Sequence, residues 1–378
     1  MRILVLNGGS SSFKCALHDV SQAALGSASA PAPALKETVD GMGLGSVAEA
    51  LEPFLRRAGV IDVVGHRIVN GGPELRASTW ITDQVRAAIA HNIEIAPAHN
   101  RSGLEAIDMA ARVLASGVRQ AAVFDTSFHA TLDPAAYIYP GPYEWLEREG
   151  IRRYGFHGIS YQYATRRTGE MLGGVPKRLL ICHLGNGASL CAVREGASID
   201  TTMGFTPLEG LMMGSRSGSL DPGIIVYLLR HRGCSADELD RILNQESGLL
   251  GVSGFSSDMR EILRGRESGE TRARLAFDVY VHRLVREAGA MIAVLGGLDG
   301  LVFTGGIGEN CAPVREALAL QLEFLGIRID ARKNADPKLD MDIAALGSSI
   351  PVLVIHAEEE WEIARECFRL AAPGRWEG

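Results

Sequence analysis

The stretch Asn7-Gly-Gly-Ser-Ser-Ser-Phe-Lys14 sets two glycines, three serines and a lysine at the end of an aliphatic run. Glycines let backbone N–H groups approach and wrap phosphate oxygens, and serine hydroxyls and a lysine add donors at little steric cost. A plain hairpin turn accounts for the glycines but not for the serines or Lys14, so the stretch reads as a phosphate-facing tip. Arg67 in GHRIVNGG and Arg216 in GSRSGSLDPG also sit among glycines. A guanidinium is a planar fork of donors suited to carboxylate or phosphoryl oxygens, although a lone arginine is at least as often a surface or packing residue. His99, His157 and His183 each lie beside a tight turn. One such histidine is more often structural than catalytic, since its ring satisfies turn carbonyls; three in similar company weaken that reading.

Acidic candidates stand at strand ends. Asp125 follows Ala-Ala-Val-Phe directly, and the carboxyl ends of strands are where α/β sheets bind ligands. Glu358, Glu359 and Glu360 open a helix-like segment, where carboxylates complement the helix dipole for about 0.3–1 kcal/mol each. The functional alternative is that one of them faces across a cleft, because a pair of carboxylates with waters and phosphate oxygens is how Mg²⁺ is usually held. In FTGGIGEN the glycines would let a planar ring such as adenosine lie against the backbone, and a tight strand-to-helix turn explains them equally well. There is no Gly-Lys dipeptide for a Walker loop, no third glycine of a dinucleotide fingerprint, and no H-E-x-x-H.

Composition narrows the class. A net charge of −7 gives no electrostatic reason to seek nucleic acid. Six scattered cysteines without a C-x-x-C pair point to neither a zinc site nor a disulfide framework, and read as small buried residues of a reducing compartment. The apolar start breaks after five positions and no run of 18 apolar residues follows, so the expected location is cytoplasmic, with no membrane partner.

These residues need a scaffold. ILVL, VVGHRIV, AAVF, LLICHLG, LVFTG and PVLVIH read as strands, separated by helix-period segments. One helix is expected from a capping box at Ser102 to Glu105 through to Gly117, and another after Pro313. Residues 21–45 read as loop with at most one edge strand. Leu4–Leu17 and Leu180–Val193 echo each other: an aliphatic strand, a glycine-rich turn, and a second strand ending Cys-Ala-aliphatic. Alternation of this kind predicts an α/β fold, the echo predicts duplicated domains, and a cleft between the copies is the natural site.

NGGSSSFK, GHRIVNGG, APAHN, VFDTSFH, RYGFHGIS, CHLGNGAS, MGFTPLEGLMMGSRSG, FTGGIGEN and EEEWEIAR, in this order, strongly resemble the acetate kinase family. The resemblance runs from the first strand to the last helix. It implies two duplicated RNase H-like domains of the actin-like ATPase kind around a nucleotide cleft. The first would span residues 1–127, completed by a C-terminal helix at 362–378. The second, 128–361, would carry the adenosine site and a homodimer interface. The implied reaction is reversible transfer of the ATP γ-phosphoryl group to acetate, giving acetyl phosphate and ADP, directly and in line. Asp125, Arg67, Arg216 and His157 would be catalytic, and Val69, Ala98, Phe156 and Pro207 would join Arg67 around the acyl group. Asn7, Ser10, Ser12 and Lys14 would lie on the phosphate side, faced by His183, Asn186 and Gly187. Asp258, Met259, Arg260, Gly306, Ile307, Gly308 and Asn310 would hold adenosine, and Asn7 with Glu359 would hold Mg²⁺, Mn²⁺ being the alternative ion. Neighbouring readings are a propionate or short-chain acyl kinase and, from another class, an actin-like or chaperone-like ATPase; paired arginines and an apolar acyl wall argue against the latter.

The sequence departs from the family pattern in several places. Asn70, Ala98 and Arg101 stand where histidine, leucine and proline are usual, and Ser219 where aspartate is common. His356-Ala357 replaces the usual Pro-Thr before the glutamates, which leaves the choice among Glu358, Glu359 and Glu360 open. Ala98 removes three carbons from the implied acyl wall, so propionate is expected to fit unusually well.

Overall fold

The structure is a computed structural model describing residues 1–8, 12–27, 29–40, 46–93, 97–115, 117–338 and 340–372. Strands β1 (Arg2–Gly8) and β2 (Ser12–Asp19) form an antiparallel hairpin that sets Asn7 opposite Lys14, and β3 (Leu35–Asp40) pairs along its outer edge. On the other side β4 (Val63–Ile68) runs parallel to β1 and β6 (Arg119–Phe124) parallel to β4, with the short β5 (Thr79–Trp80) antiparallel at the margin. The order is β3-β2-β1-β4-β6-β5.

A second sheet repeats it. β7 (Arg178–Leu184), β8 (Ala188–Arg194) and β9 (Ala197–Thr201) are antiparallel neighbours. β10 (Gly300–Thr304) and β12 (Val352–Val354) continue in parallel, and β11 (Met341–Asp342) is the antiparallel margin. The order β9-β8-β7-β10-β12-β11 matches the first sheet strand for strand. The echo read in the sequence is the two central hairpins, and the expected pair of duplicated RNase H-like domains is what the chain forms.

Continuous apolar strands are needed because both faces are covered. In β1, Ile3 and Val5 turn to one core with Trp361, Ile363 and Cys367, while Leu4 and Leu6 turn to the opposite one with Phe54, Ala106 and Met109. The first core is common to both sheets, since Leu179, Ile181 and Val302 join it with Ile159 and Tyr163 of the helix Gly158–Leu172. The far face of the second sheet packs on the 25-residue helix Thr271–Leu295.

Boundaries moved where tertiary contacts override local signals. The helix expected from Ser102 runs Pro97–Val113. Pro97 at its start is preorganised for a first turn, and Asn100, buried inside it, donates to the carbonyls of Asn70 and Asn92, so Ser102 is interior to the helix and does not begin it. The segment after Pro313 is helical over Ala312–Gln321 and tightens into a 3₁₀ turn at Glu323–Leu325. Within 21–45 there is a short helix, Gln22–Leu25, besides the edge strand β3; residues 41–45 lie outside the described residues. The last helix is Glu359–Ala371. Among the described residues no helix is long and apolar enough to cross a membrane.

Gly65 in β4 lets that last helix sit on the first sheet. A β-carbon there would lie 2.5 Å from Cys367 Sγ and 2.8 Å from Ile363 Cγ2. Gly65→Val is expected to lower the stability of the folded chain by about 1–3 kcal/mol through overpacking, read as a shift in the urea midpoint.

His18, His66 and His129 are buried, and burial pushes each down to about 4. Unfolded, they bind protons near pH 6.5. The unfolded chain therefore holds more protons between about pH 6.5 and 4, and stability falls as the pH drops through that window. Urea unfolding at pH 5 should show a loss of about 1–2 kcal/mol per histidine relative to pH 7.5.

Candidate active site

The carboxyl ends of β1, β4 and β6 lie side by side, so Asn7, Arg67 and Asp125 converge although they are far apart in the chain. Arg67 Nε and Nη2 grip Asp125 Oδ2 at 3.0 and 2.5 Å, and Nη1 donates to Asn7 Oδ1 at 3.3 Å and to the Gly8 carbonyl at 3.0 Å. Asn7 Nδ2 donates onward to Glu359 Oε2 at 3.2 Å and Glu360 Oε1 at 2.7 Å. Lys14 and Lys36 each approach Glu360 at 3.9 Å. This wall is balanced: three carboxylates face Arg67 and two lysines. Burial pushes the Asp125 carboxyl up against the pull of Arg67. Burial acts the same way on Glu359, but Arg67, His183, Lys14 and the Asn7 hydrogen bond hold it below its ordinary value.

The second half supplies the facing wall. The hairpin turn between β7 and β8 is closed by a hydrogen bond from Gly185 N to the Gly187 carbonyl at 3.0 Å. A β-carbon on Gly187 would lie 3.4 Å from Arg216 Nη1 and 3.5 Å from His157 Nε2, so this backbone stands directly before both side chains. His157 is in the left-handed region at φ 59°, an uncommon state for a non-glycine residue, and its Nδ1 meets Ser189 Oγ at 2.8 Å. Its ring stacks on His183 at 4.1 Å, and His183 Nδ1 meets Ser160 Oγ at 2.8 Å. Burial, then the neighbouring His183, Arg67 and Arg216, keeps His157 neutral. Arg216 donates to the Pro207 carbonyl at 3.2 Å, and among the described residues no carboxylate lies within ion-pair distance of it. Burial and Arg67 lower its pKa. A partly buried cation without a counter-ion is the mark of a site built for an incoming anion.

The two walls enclose a cleft of about 490 Å³. Of the residues singled out in the sequence, the fold brings fifteen to its lining: Asn7, Lys14, Arg67, Val69, Asp125, Phe156, His157, His183, Asn186, Gly187, Pro207, Arg216, Gly306, Asn310 and Glu359. It does not bring six, the first being Glu358, which lies outside the lining. Asp258 caps the helix Met259–Glu267 and pairs with Arg260 at 2.6 Å, both on the outer surface, and Met259 is buried in the second-half core. Ile307 packs on that core and Gly308 is buried in the short helix Gly305–Asn310. Ser10 and the side chains of Ser12, Ala98 and His99 lie outside the described residues. Lys36, Glu309 and His356 also line the cleft without an assigned role from the sequence, as does Glu360, one of the three glutamates among which the choice stayed open. Lys36 sits in a stretch too weakly patterned to place.

A model of the acetokinase family matches residues 42–365. The chain belongs to the acetokinase family. It is 48% identical to an acetate kinase of Nostoc punctiforme, over 98% of this chain and 99% of that protein. In structure it is similar to Porphyromonas gingivalis acetate kinase, with TM-score 0.87, 35% identity and coverage of 98% of this chain and 100% of the other. A propionate kinase from Francisella tularensis superposes with TM-score 0.86 at 36% identity, covering 97% and 98%. Acetokinase membership makes the chain a phosphotransferase of the acetate kinase type.

An acetokinase cleft with one uncompensated arginine should bear its cost in the free protein. Arg216→Met is expected to stabilise the ligand-free chain by about 1 kcal/mol, read as a higher urea midpoint. A lowered midpoint would show that Arg216 is held by more than the Pro207 carbonyl.

Proposed function

We propose that the cleft transfers the γ-phosphoryl group of ATP in line to a carboxylate oxygen of acetate, reversibly, with no phospho-enzyme. The observation that carries this is the pairing of Arg67, bound to Asp125, on one wall with the uncompensated Arg216 on the other. Phosphoryl transfer spreads charge over three equatorial oxygens while attacking and leaving oxygens stay in line, so positioned cations supply most of the stabilisation. Arg67 and Arg216 flank the transferring group, and neutral His157 offers it a hydrogen bond without adding charge. Acetate, with a carboxyl pKa around 4, is already ionised near neutrality; no strong base is needed, and Asp125 orients Arg67 and the substrate. Val69, Phe156 and Pro207, all at the cleft, form the apolar side against the methyl group.

Lys14, His183, Asn186 and Gly187 face the phosphate chain. Gly306 and Asn310 receive the adenosine, with Asp258 and Arg260 at the outer rim and Met259, Ile307 and Gly308 supporting from the core. The donor set fits Mg²⁺, or Mn²⁺, arriving with the nucleotide. Among the described residues no three His, Cys, Asp or Glu side chains converge as a dedicated cage would require, and one or two carboxylates beside phosphate oxygens are what this ion takes. Glu359 suits it better than Glu360, which is already engaged by Asn7 and two lysines, or Glu358, which stands outside the lining. When bound, the ion would neutralise charge on the phosphates.

The domain division at 127/128, with the last helix returning to the first unit, is supported by the packing of Glu359–Ala371 on β1 and β4. A homodimer through the second half is supported by exposed Ile224, Val226, Tyr227 and Leu229, and a cytoplasmic setting by six free cysteines.

With ATP, Mg²⁺, acetate and hydroxylamine the chain should form acetyl hydroxamate, and Arg67→Ala should lower kcat/KM by about 10²-fold or more; full activity in that variant would sink the assignment. The similarity to a propionate kinase and the alanine at position 98 favour a roomy acyl pocket. Side by side, kcat/KM for propionate should come within about tenfold of that for acetate, one methylene being worth about 1–3 kcal/mol. A strong preference for acetate would show that neighbouring side chains fill the space.

A further inference from the structure

Glu309 and His356 line the cleft, yet the phosphoryl-transfer residues above do not include them. Glu309 lies on the helix Gly305–Asn310 and folds back on its own turn. Its Oε1 accepts from Gly305 N at 3.0 Å and from Ala357 N at 2.9 Å, and its Oε2 meets His356 Nδ1 at 2.5 Å. One carboxylate with three donors thus ties together the turns that follow the parallel strands β10 and β12. The first turn opens the Gly305–Gly306 run; the second leads into Glu359. The other end of the short helix is fixed separately, because buried Arg315 donates to the carbonyls of Gly308 and Glu309 at 2.8 Å each. Burial would raise the Glu309 carboxyl, but His356 and the Ala357 amide hold it below its ordinary value, and the same contact raises His356.

We propose that His356 is a positioning residue that acts through Glu309 to hold the Gly305–Gly306 turn and the Ala357–Glu359 turn at the spacing a nucleotide phosphate chain requires. This rests on the reading of Gly306 and Asn310 as the nucleotide side of the cleft. Removing the imidazole leaves Glu309 with two amide donors on Oε1 and no partner for Oε2, so the carboxylate is drawn toward water and the two turns lose their common anchor. Asparagine at this position keeps a donor near the place of Nδ1 and should preserve most of the tie.

The test is titration calorimetry of MgADP binding to the full chain, with steady-state kinetics and urea unfolding to confirm that each variant is folded. His356→Ala should weaken MgADP by about tenfold or more and raise KM for ATP in parallel, with KM for acetate within twofold of the parent. His356→Asn should recover most of the loss. Unchanged MgADP affinity in His356→Ala, an equal rise in the KM for acetate, or no recovery in His356→Asn would each overturn the proposal. Asn310→Ala separates the two readings. If it weakens MgADP while His356→Ala does not, only the tie is wrong; if it leaves MgADP binding unchanged, the nucleotide placement itself fails.

Discussion

Everything at the cleft depends on how charge is buried at the ends of three adjacent parallel strands. Asp125, Glu359 and Glu360 are removed from water, which is costly for carboxylates unless each is paired and hydrogen-bonded. Arg67 answers Asp125 and Lys14 with Lys36 answer Glu360, while Asn7 links the groups through one amide. An amide is the side chain for this position because it accepts from a guanidinium and donates to two carboxylates at once. The result is a rigid, nearly neutral wall. Across from it stands Arg216, with no carboxylate among the described residues within ion-pair distance.

Duplication explains how two such different walls face each other. Both sheets have the same strand order, and in both the parallel strands end at the cleft, but the side chains placed there differ: carboxylates, arginine and amide in the first half, histidines, glycines and, among the described residues, an arginine without a carboxylate partner in the second. One fold gives the geometry twice, and the two copies divide the chemistry. His157 belongs to neither sheet. It stands at the start of the helix Gly158–Leu172, whose first amide, Gly158 N, donates to the Asp125 carbonyl at 2.8 Å, so the histidine of one wall is tied through the backbone to the carboxylate of the other.

Much of this was legible in the sequence where the local pattern and the fold agree. The strands ILVL and LLIC are apolar because helices cover both faces, and their hairpin partners repeat, which is enough to expect two related halves. Asp125 and Asn7 were recognisable at the ends of aliphatic runs and Arg67 as an arginine among glycines, and parallel pairing of β1, β4 and β6 makes the three neighbours. Less legible was anything set by contacts distant in sequence. The start of the helix at Pro97 reflects the burial of Asn100 against Asn70, which no capping rule contains. The role of Glu360 reflects two lysines from β2 and β3, and the position of Met259 in the core reflects packing under the second sheet. Glu309 was visible only as one letter of a glycine-rich motif, since its partners His356 and Ala357 come from a turn about fifty residues further on.

The seating of the helix Glu359–Ala371 on β1 and β4 has a consequence for how the chain is made. Ile3, Val5 and Val63 on one face of the first sheet share their core with Ile159 and Tyr163, but their cover is complete only with Trp361 and Ile363, roughly 300 residues or more further along the chain. Closing contacts of such separation are entropically slow, and an apolar sheet face left open meanwhile is a place for misassociation. Until that segment has been made, the first sheet keeps part of an apolar face open to misassociation.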